Sequence, residues 1–196
     1  AYQQSVKGYY RLVTGVDRAV GMLIEQLGQA GLDESTVIVF SSDHGFYLGE
    51  RGFAGKWYAH ELSIHVPLIV FDPRLPTDLR GKRVNAIAPT LLDLADVSAP
   101  EAYEGSSLLP WIRGRTPAGW REEFYYEHDF EYATIPRSEA VRTERFKYIV
   151  YPEVSPVYEE LYDLERDPEE AHNLAMDASF RSEVEAMRRL LALRKS

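Results

Sequence analysis

Ser41-Ser42-Asp43-His44-Gly45 sets a carboxylate and an imidazole side by side, directly after the apolar run Val37-Ile38-Val39-Phe40. A carboxylate oxygen and an imidazole nitrogen both bind divalent cations, and Gly45 permits the backbone turn that brings the two side chains to one point. Asp43 and His44 are therefore the candidate metal ligands. On these residues alone, a turn with a hydrogen-bonded carboxylate is the plainer alternative. Lys56 follows in a glycine-rich stretch. There a lysine is either a solvated charge or a fixed ammonium able to stabilise negative charge building in a reaction.

The elements that must position these residues are legible from periodicity. The run ending at Phe40 is short and rich in β-branched residues, which reads as a strand over 37–41. Asp43 and His44 then sit beyond its carboxyl end, where an open α/β sheet binds ligands. A polar loop over 42–65 leads to a second buried strand over 66–71. Before them, Val6, Tyr9, Tyr10, Val13, Val16, Val20, Leu23, Ile24 and Leu27 recur every three or four residues. That spacing predicts a helix over 6–29 with one buried face, stopping at Gly31, with Asp17 in a structural role. A helix over about 88–97 carries Pro89 in its first turn. Pro100, Pro110 and Pro117, with Gly105, Gly114 and Gly119, mark a connecting region over 101–122. Strands over 123–127, 139–143, 146–151 and 158–163 and an amphipathic helix from Asp177 follow. The fold class is thus α/β: a partial sheet flanked by helices over 1–100, then a small antiparallel α+β subdomain over 123–196.

Composition narrows the function. An apolar fraction of 45% with 12% aromatic residues is that of a globular chain. A formal net charge of −9 argues against nucleic acid or an anionic membrane as partner. No apolar run is long enough to span a bilayer. The chain has no cysteine, which removes disulfides and thiol chemistry and leaves the redox compartment unread. A signal peptide is not evident at the start.

The order Ser42-Asp43-His44-Gly45-Phe46-Tyr47-Leu48-Gly49-Glu50, then Gly55-Lys56-Trp57, then Val66-Pro67-Leu68-Ile69-Val70-Phe71-Asp72-Pro73, resembles the type I sulfatases of the alkaline phosphatase superfamily. The likeness is to their bacterial carbohydrate-sulfatase branch. It continues through Ala88-Pro89-Thr90-Leu91-Leu92-Asp93, Gly105-Ser106-Ser107-Leu108, Phe146-Lys147-Tyr148-Ile149, Glu160-Leu161-Tyr162-Asp163-Leu164 and Asn173-Leu174-Ala175. The resemblance implies a sulfuric ester hydrolase acting on a sulfated small molecule or carbohydrate. Asp43 and His44 would hold a metal, normally calcium, with zinc or manganese as alternatives. Lys56 would contact the sulfate.

The family also carries a Cys or Ser that becomes formylglycine within a C/S-x-P-x-R motif, and an Asp-Asp pair that completes the metal site. Neither motif occurs in these residues. The expectation is therefore the carboxyl-terminal portion of a sulfatase, inactive alone, and prone to self-association through the truncated sheet. These residues leave the compartment unknown, a periplasmic or secreted parent being one setting the resemblance allows. Three departures stand out. His60 and His65 replace residues more usual in the family: His60 could face substrate, and His65 could orient the loop. Ala86 stands where an Asp is usual. His128, within Tyr125-Tyr126-Glu127-His128-Asp129, alternates face with its acidic neighbours, which argues against a second metal site but leaves it able to read a sugar at the pocket rim. His172 reads as structural. The rivals are a phosphonate or phosphate-ester hydrolase of the same superfamily and a non-catalytic docking or binding domain.

Overall fold

A computed structural model describes residues 1–74, 87–115, 117–130 and 134–195. In chain order its elements are α1 (Tyr2–Gln29), β1 (Ile38–Ser41), β2 (Tyr47–Leu48), β3 (Ala54–Gly55), α2 (Glu61–Ile64), β4 (Leu68–Phe71), α3 (Ile87–Leu94), α4 (Leu109–Ile112), β5 (Phe124–His128), β6 (Ser138–Arg142), β7 (Phe146–Tyr151), β8 (Tyr158–Asp163) and α5 (Arg181–Arg194). The chain divides into two units, Ala1–Ser42 with Pro67–Trp120 and Asp43–Val66 with Arg121–Ser196. The departure at Ala86 lies outside the described residues.

In the first unit α1 ends as its sequence predicts: Gly31 takes a φ of 65° and the Leu32 amide donates to Leu27 O at 2.9 Å. The predicted buried face is not realised, because α1 has no buried residue. Leu12, Met22 and Leu23 lie exposed, since no described element of the unit covers them. β1 and β4 pair antiparallel, with Ile38 opposite Phe71 and Ser41 opposite Leu68. Alternation decides what β4 buries. Leu68 and Val70 pack on Leu108, Leu109 and Ile112, with Leu94, Trp111 and Trp120 around them, while Ile69 and Phe71 face out. The region expected only to connect thus holds α4 at the centre of this small core. The Leu108 amide donates to Thr90 Oγ1 at 2.8 Å, which ties α4 to α3.

The second unit is built on an antiparallel meander in the order β5-β6-β7-β8. Its two faces have different partners because strand residues alternate. Val141, Tyr148 and Leu161 meet Val184, Met187 and Leu191 of α5, positions spaced to share one helical face. Asp177 starts this helical segment by accepting from the Ser179 amide at 2.8 Å. Along β8, Asn173 Oδ1 accepts from the Leu161 amide at 3.0 Å and its Nδ2 donates to Glu159 O at 2.9 Å. The side chain therefore finishes hydrogen bonds that an edge strand leaves open. On the opposite face Ala140, Ile149, Tyr151 and Tyr162 pack with Ala59. Residues 43–66, nearly all within the polar loop expected over 42–65, hold the β2–β3 hairpin and α2 and lie on that face.

Leu161 is wholly buried between the meander and α5. Leu161→Ala is expected to lower stability by about 3 kcal/mol, the usual cost of deleted methyl groups plus a cavity. Urea denaturation followed by far-UV circular dichroism checks this; a change below about 1 kcal/mol would show that α5 does not depend on this contact.

Candidate functional site

Gly45 fixes the start of the site through close approach rather than through an unusual turn. It does not adopt a positive φ, contrary to the role expected for it. Its amide donates to Ser63 O at 2.7 Å. A Cβ there would lie 2.0 Å from Leu62 O, so only glycine lets the chain run against α2. Asp43 and His44 immediately precede this latch. The His44 amide donates to Asp43 Oδ1 at 3.0 Å, and His44 Nδ1 donates to Gly45 O at 2.7 Å. A carbonyl can only accept, so the proton of a neutral ring is on Nδ1 and the acceptor nitrogen is Nε2.

That nitrogen faces Asp43 Oδ2 at 3.4 Å. Two electron-rich atoms so placed are stabilised by a positive centre, either a proton on Nε2 or a shared cation. The pair therefore fits a divalent metal as two of its ligands, with the Gly45 carbonyl setting the imidazole's orientation. Asp43 is 83% exposed at its side chain. Among the described residues no group of three or more His, Asp or Glu side chains gathers around a point. Calcium takes six to eight oxygens, so these two candidates do not make a complete site.

Lys56 lies with Nζ 5.0 Å from the centroid of the Trp57 ring, a cation–π contact that restrains the ammonium. Trp57 itself has a φ of 101°, a region bulky residues avoid. Both of its backbone polar groups are held: the amide donates to Ser63 Oγ at 3.2 Å, and the carbonyl accepts from Tyr126 Oη–H at 2.7 Å. Burial pushes the Tyr126 phenol up to about 12, so it stays a donor throughout the neutral range. The strained residue beside Lys56 is thus over-determined by its surroundings.

Two buried polar chains anchor this segment to the meander. In one, Tyr47 Oη meets His60 Nδ1 at 2.8 Å, His60 Nε2 meets Glu160 Oε2 at 2.9 Å, and Tyr162 Oη donates to the same oxygen at 3.0 Å. Burial, with nearby carboxylates, pushes the Tyr47 hydroxyl far up. Tyr47 therefore donates to Nδ1, and Nε2–H donates to Glu160. His60 is buried and both ring nitrogens are used, so it acts here as an anchor and not as the substrate contact expected from sequence. His65 is half exposed, with Nδ1 3.5 Å from Glu61 Oε2, consistent with its expected place in orienting the loop.

The second chain centres on Lys147, wholly buried on β7. Its Nζ lies 2.6 Å from Glu61 Oε1 and 2.7 Å from Glu170 Oε1. Arg142 Nε donates to Glu61 Oε1 at 3.0 Å, and the Glu61 amide donates to Glu170 Oε2 at 2.6 Å. Arg51 donates to Glu170 O and to Tyr162 Oη. Burial alone would push the Glu61 carboxyl up, but the Lys147 ammonium and Arg142 guanidinium outweigh it and leave it below the usual carboxylate range. Sequence reasoning missed this cluster. The signal was Lys147 itself, placed on the same strand face as Ile149 and Tyr151, where a charge survives only with a partner.

Comparison with known proteins finds relatives over most of the chain. Residues 49–196 match the family N-sulphoglucosamine sulphohydrolase, C-terminal, and residues 9–86 match the family type I phosphodiesterase / nucleotide pyrophosphatase. An N-acetylglucosamine-6-O-sulfatase of Bacteroides thetaiotaomicron is 36% identical over 97% of this chain, and a choline-sulfatase of Rhizobium meliloti is 36% identical over 88% of it. The chain spans 35% and 33% of those relatives' own lengths. Among solved structures, a protein in complex with its substrate D-glucosamine-2-N,6-O-disulfate superposes with a TM-score of 0.81 at 33% identity. That match covers 93% of this chain and 38% of the other. A phosphonate monoester hydrolase of Agrobacterium radiobacter superposes at 0.77 with 31% identity, covering 95% of this chain and 40% of the other.

The depressed Glu61 carboxyl sets a pH dependence. Its contribution is present above the ordinary glutamate pKa of about 4.3 and is lost as pH falls through the lower folded value. Glu61→Gln is expected to cost about 3 kcal/mol at pH 7, because it leaves Lys147 short of one carboxylate, and to flatten the loss of stability below about pH 4.3. Urea midpoints measured from pH 7 to pH 3 read both; parallel curves for the two proteins would show that Glu61 titrates alike in the folded and unfolded states.

Proposed function

This chain belongs to the sulfatases of the alkaline phosphatase superfamily, and from that premise we propose that it forms the carboxyl-terminal part of an enzyme that hydrolyses sulfate esters on a carbohydrate. The observation that carries the proposal is the facing of His44 Nε2 and Asp43 Oδ2 at 3.4 Å, with the other ring nitrogen committed to Gly45 O. Asp43 and His44 would hold a divalent metal, calcium by family habit, with residues outside this chain completing its shell. When bound, the metal supplies positive charge that draws electron density from the sulfuryl oxygens. The nucleophile, a formylglycine in this family, also lies outside the chain, so the chain alone is inactive.

The residues present here bind and orient. Lys56 neutralises charge that grows on the sulfuryl group and on the departing oxygen as the S–O bond breaks. Its contact with Trp57 limits the side-chain freedom that would otherwise have to be lost on binding. The latch at Gly45 and the anchors at His60 and Glu61 hold the metal pair and Lys56 on one segment of the second unit. The exposed apolar side chains of α1 and β4 support self-association of the chain in isolation. The likeness to a phosphonate monoester hydrolase supports a second reading, in which the same residues serve a phosphonate ester.

In the complete polypeptide, Lys56→Ala is expected to lower kcat/KM on a sulfate ester by about 100- to 1,000-fold, and Asp43→Asn to raise the calcium concentration needed for half-maximal rate. The wild-type preference between matched sulfate and phosphonate esters separates the two readings. Retention of rate by Lys56→Ala within about threefold contradicts the assignment of Lys56.

A further inference from the structure

His128 closes β5 directly opposite Ser138 of β6. Opposed residues of an antiparallel pair project to the same side, here the side on which residues 43–66 lie. His128 is 7% exposed and Ser138 2%, and among the described residues neither His128 Nε2 nor Ser138 Oγ has a hydrogen-bonding partner. Native proteins seldom bury one such group unpaired, and two on a single ladder pair require a reason.

The surroundings supply one. The His128 ring centroid is 5.6 Å from that of Trp57 and 6.5 Å from that of Phe130, and the last two rings lie nearly parallel, 16° apart at 6.3 Å. Trp57 is 40% and Phe130 60% exposed. Two exposed rings therefore make an apolar wall next to the Lys56 ammonium, with an unsatisfied imidazole nitrogen beside them. Trp57 holds its place at a φ of 101° only because both its backbone groups are pinned from Ser63 and Tyr126.

We propose that Trp57, Phe130 and His128 form the sugar-contacting wall of the site: the two rings receive the C–H face of a pyranose, and His128 Nε2 hydrogen-bonds one of its hydroxyls. The inference rests on the reading of the protein as a carbohydrate sulfatase and adds the residues that tell a sugar from another alcohol. The chemistry selects a hydroxyl. An imidazole nitrogen donates or accepts according to its tautomer, and a hydroxyl answers either. A sulfate oxygen can only accept, and Lys56 serves it. Because the rings shield Nε2, the exposed Phe130 ring shifts to open it to the hydroxyl while keeping its face toward the sugar. The Ser138 hydroxyl stands beside His128 as a second partner for the same ligand.

The test uses the complete enzyme and two substrates: 4-methylumbelliferyl sulfate, which has no sugar, and whichever of the glucose, galactose and glucosamine 6-sulfates the wild type hydrolyses fastest. His128→Ala is expected to lower the ratio of sugar to aryl kcat/KM about tenfold, mainly through KM, as loss of one hydrogen bond to substrate does. Phe130→Ala is expected to lower the same ratio, and His128→Gln, which keeps a donor and an acceptor, to restore part of it. Equal loss on both substrates, or a ratio within twofold of wild type for both His128→Ala and Phe130→Ala, overturns the inference and leaves His128 a structural residue. Hydrolysis of the aryl ester by wild type with no sugar sulfate accepted overturns the carbohydrate reading beneath it.

Discussion

The Lys147 ammonium, buried between the carboxylates of Glu61 and Glu170, is the interaction on which the second unit depends. A lone ammonium in that position would be untenable, and so would either carboxylate alone. Each charge is tolerated because the other two are there. The three come from distant stretches of chain: β7, the start of α2, and the segment after β8. Joining them fixes α2 against the meander. Since Gly45 donates to Ser63 O of α2, the segment carrying Asp43 and His44 is fixed as well. A second chain through Tyr47, His60, Glu160 and Tyr162 repeats the attachment with neutral donors. The strain at Trp57 is sustained by the same arrangement, because Ser63 belongs to α2 and Tyr126 to β5.

The proposed site, which would hold charged groups ready for an anionic substrate, gains from such an anchor. Side chains on a free polar loop would have to be ordered on binding, at a cost of rotamer and backbone entropy. Here that ordering is done on folding. The ion cluster adds little net stability by comparison with an apolar packing of the same volume. Its value is that the register between residues 43–66 and the meander becomes unique, since any slip would leave a buried charge unpaired.

Much of this was legible in the sequence. The four strands of the meander and the terminal helix follow from alternation and three-to-four spacing, and the family emerges from residue order, which also nominates Asp43, His44 and Lys56 as candidates. What was not legible depended on contacts between distant residues. His60 reads as a candidate substrate contact until Glu160 and Tyr47, far apart in sequence, are seen to take both its nitrogens. Gly45 reads as a turn residue until the Leu62 carbonyl is found where its Cβ would be. The apolar stripe of α1 correctly marks a face that ought to be covered, yet periodicity cannot say which element covers it, and none of those described does. The short elements β2, β3 and α2 escaped because two to four residues carry no period.

The central claim is that the buried ion cluster holds the segment bearing Asp43, His44 and Lys56 in place. Amide hydrogen exchange of Lys147→Met against the wild-type chain tests it directly, with Gly45 as reporter and Val141 and Leu161 in the meander as controls. The account predicts that Gly45 exchanges at least about tenfold faster in the variant while the control amides keep their protection. Unchanged protection of Gly45 in a folded Lys147→Met protein would contradict it.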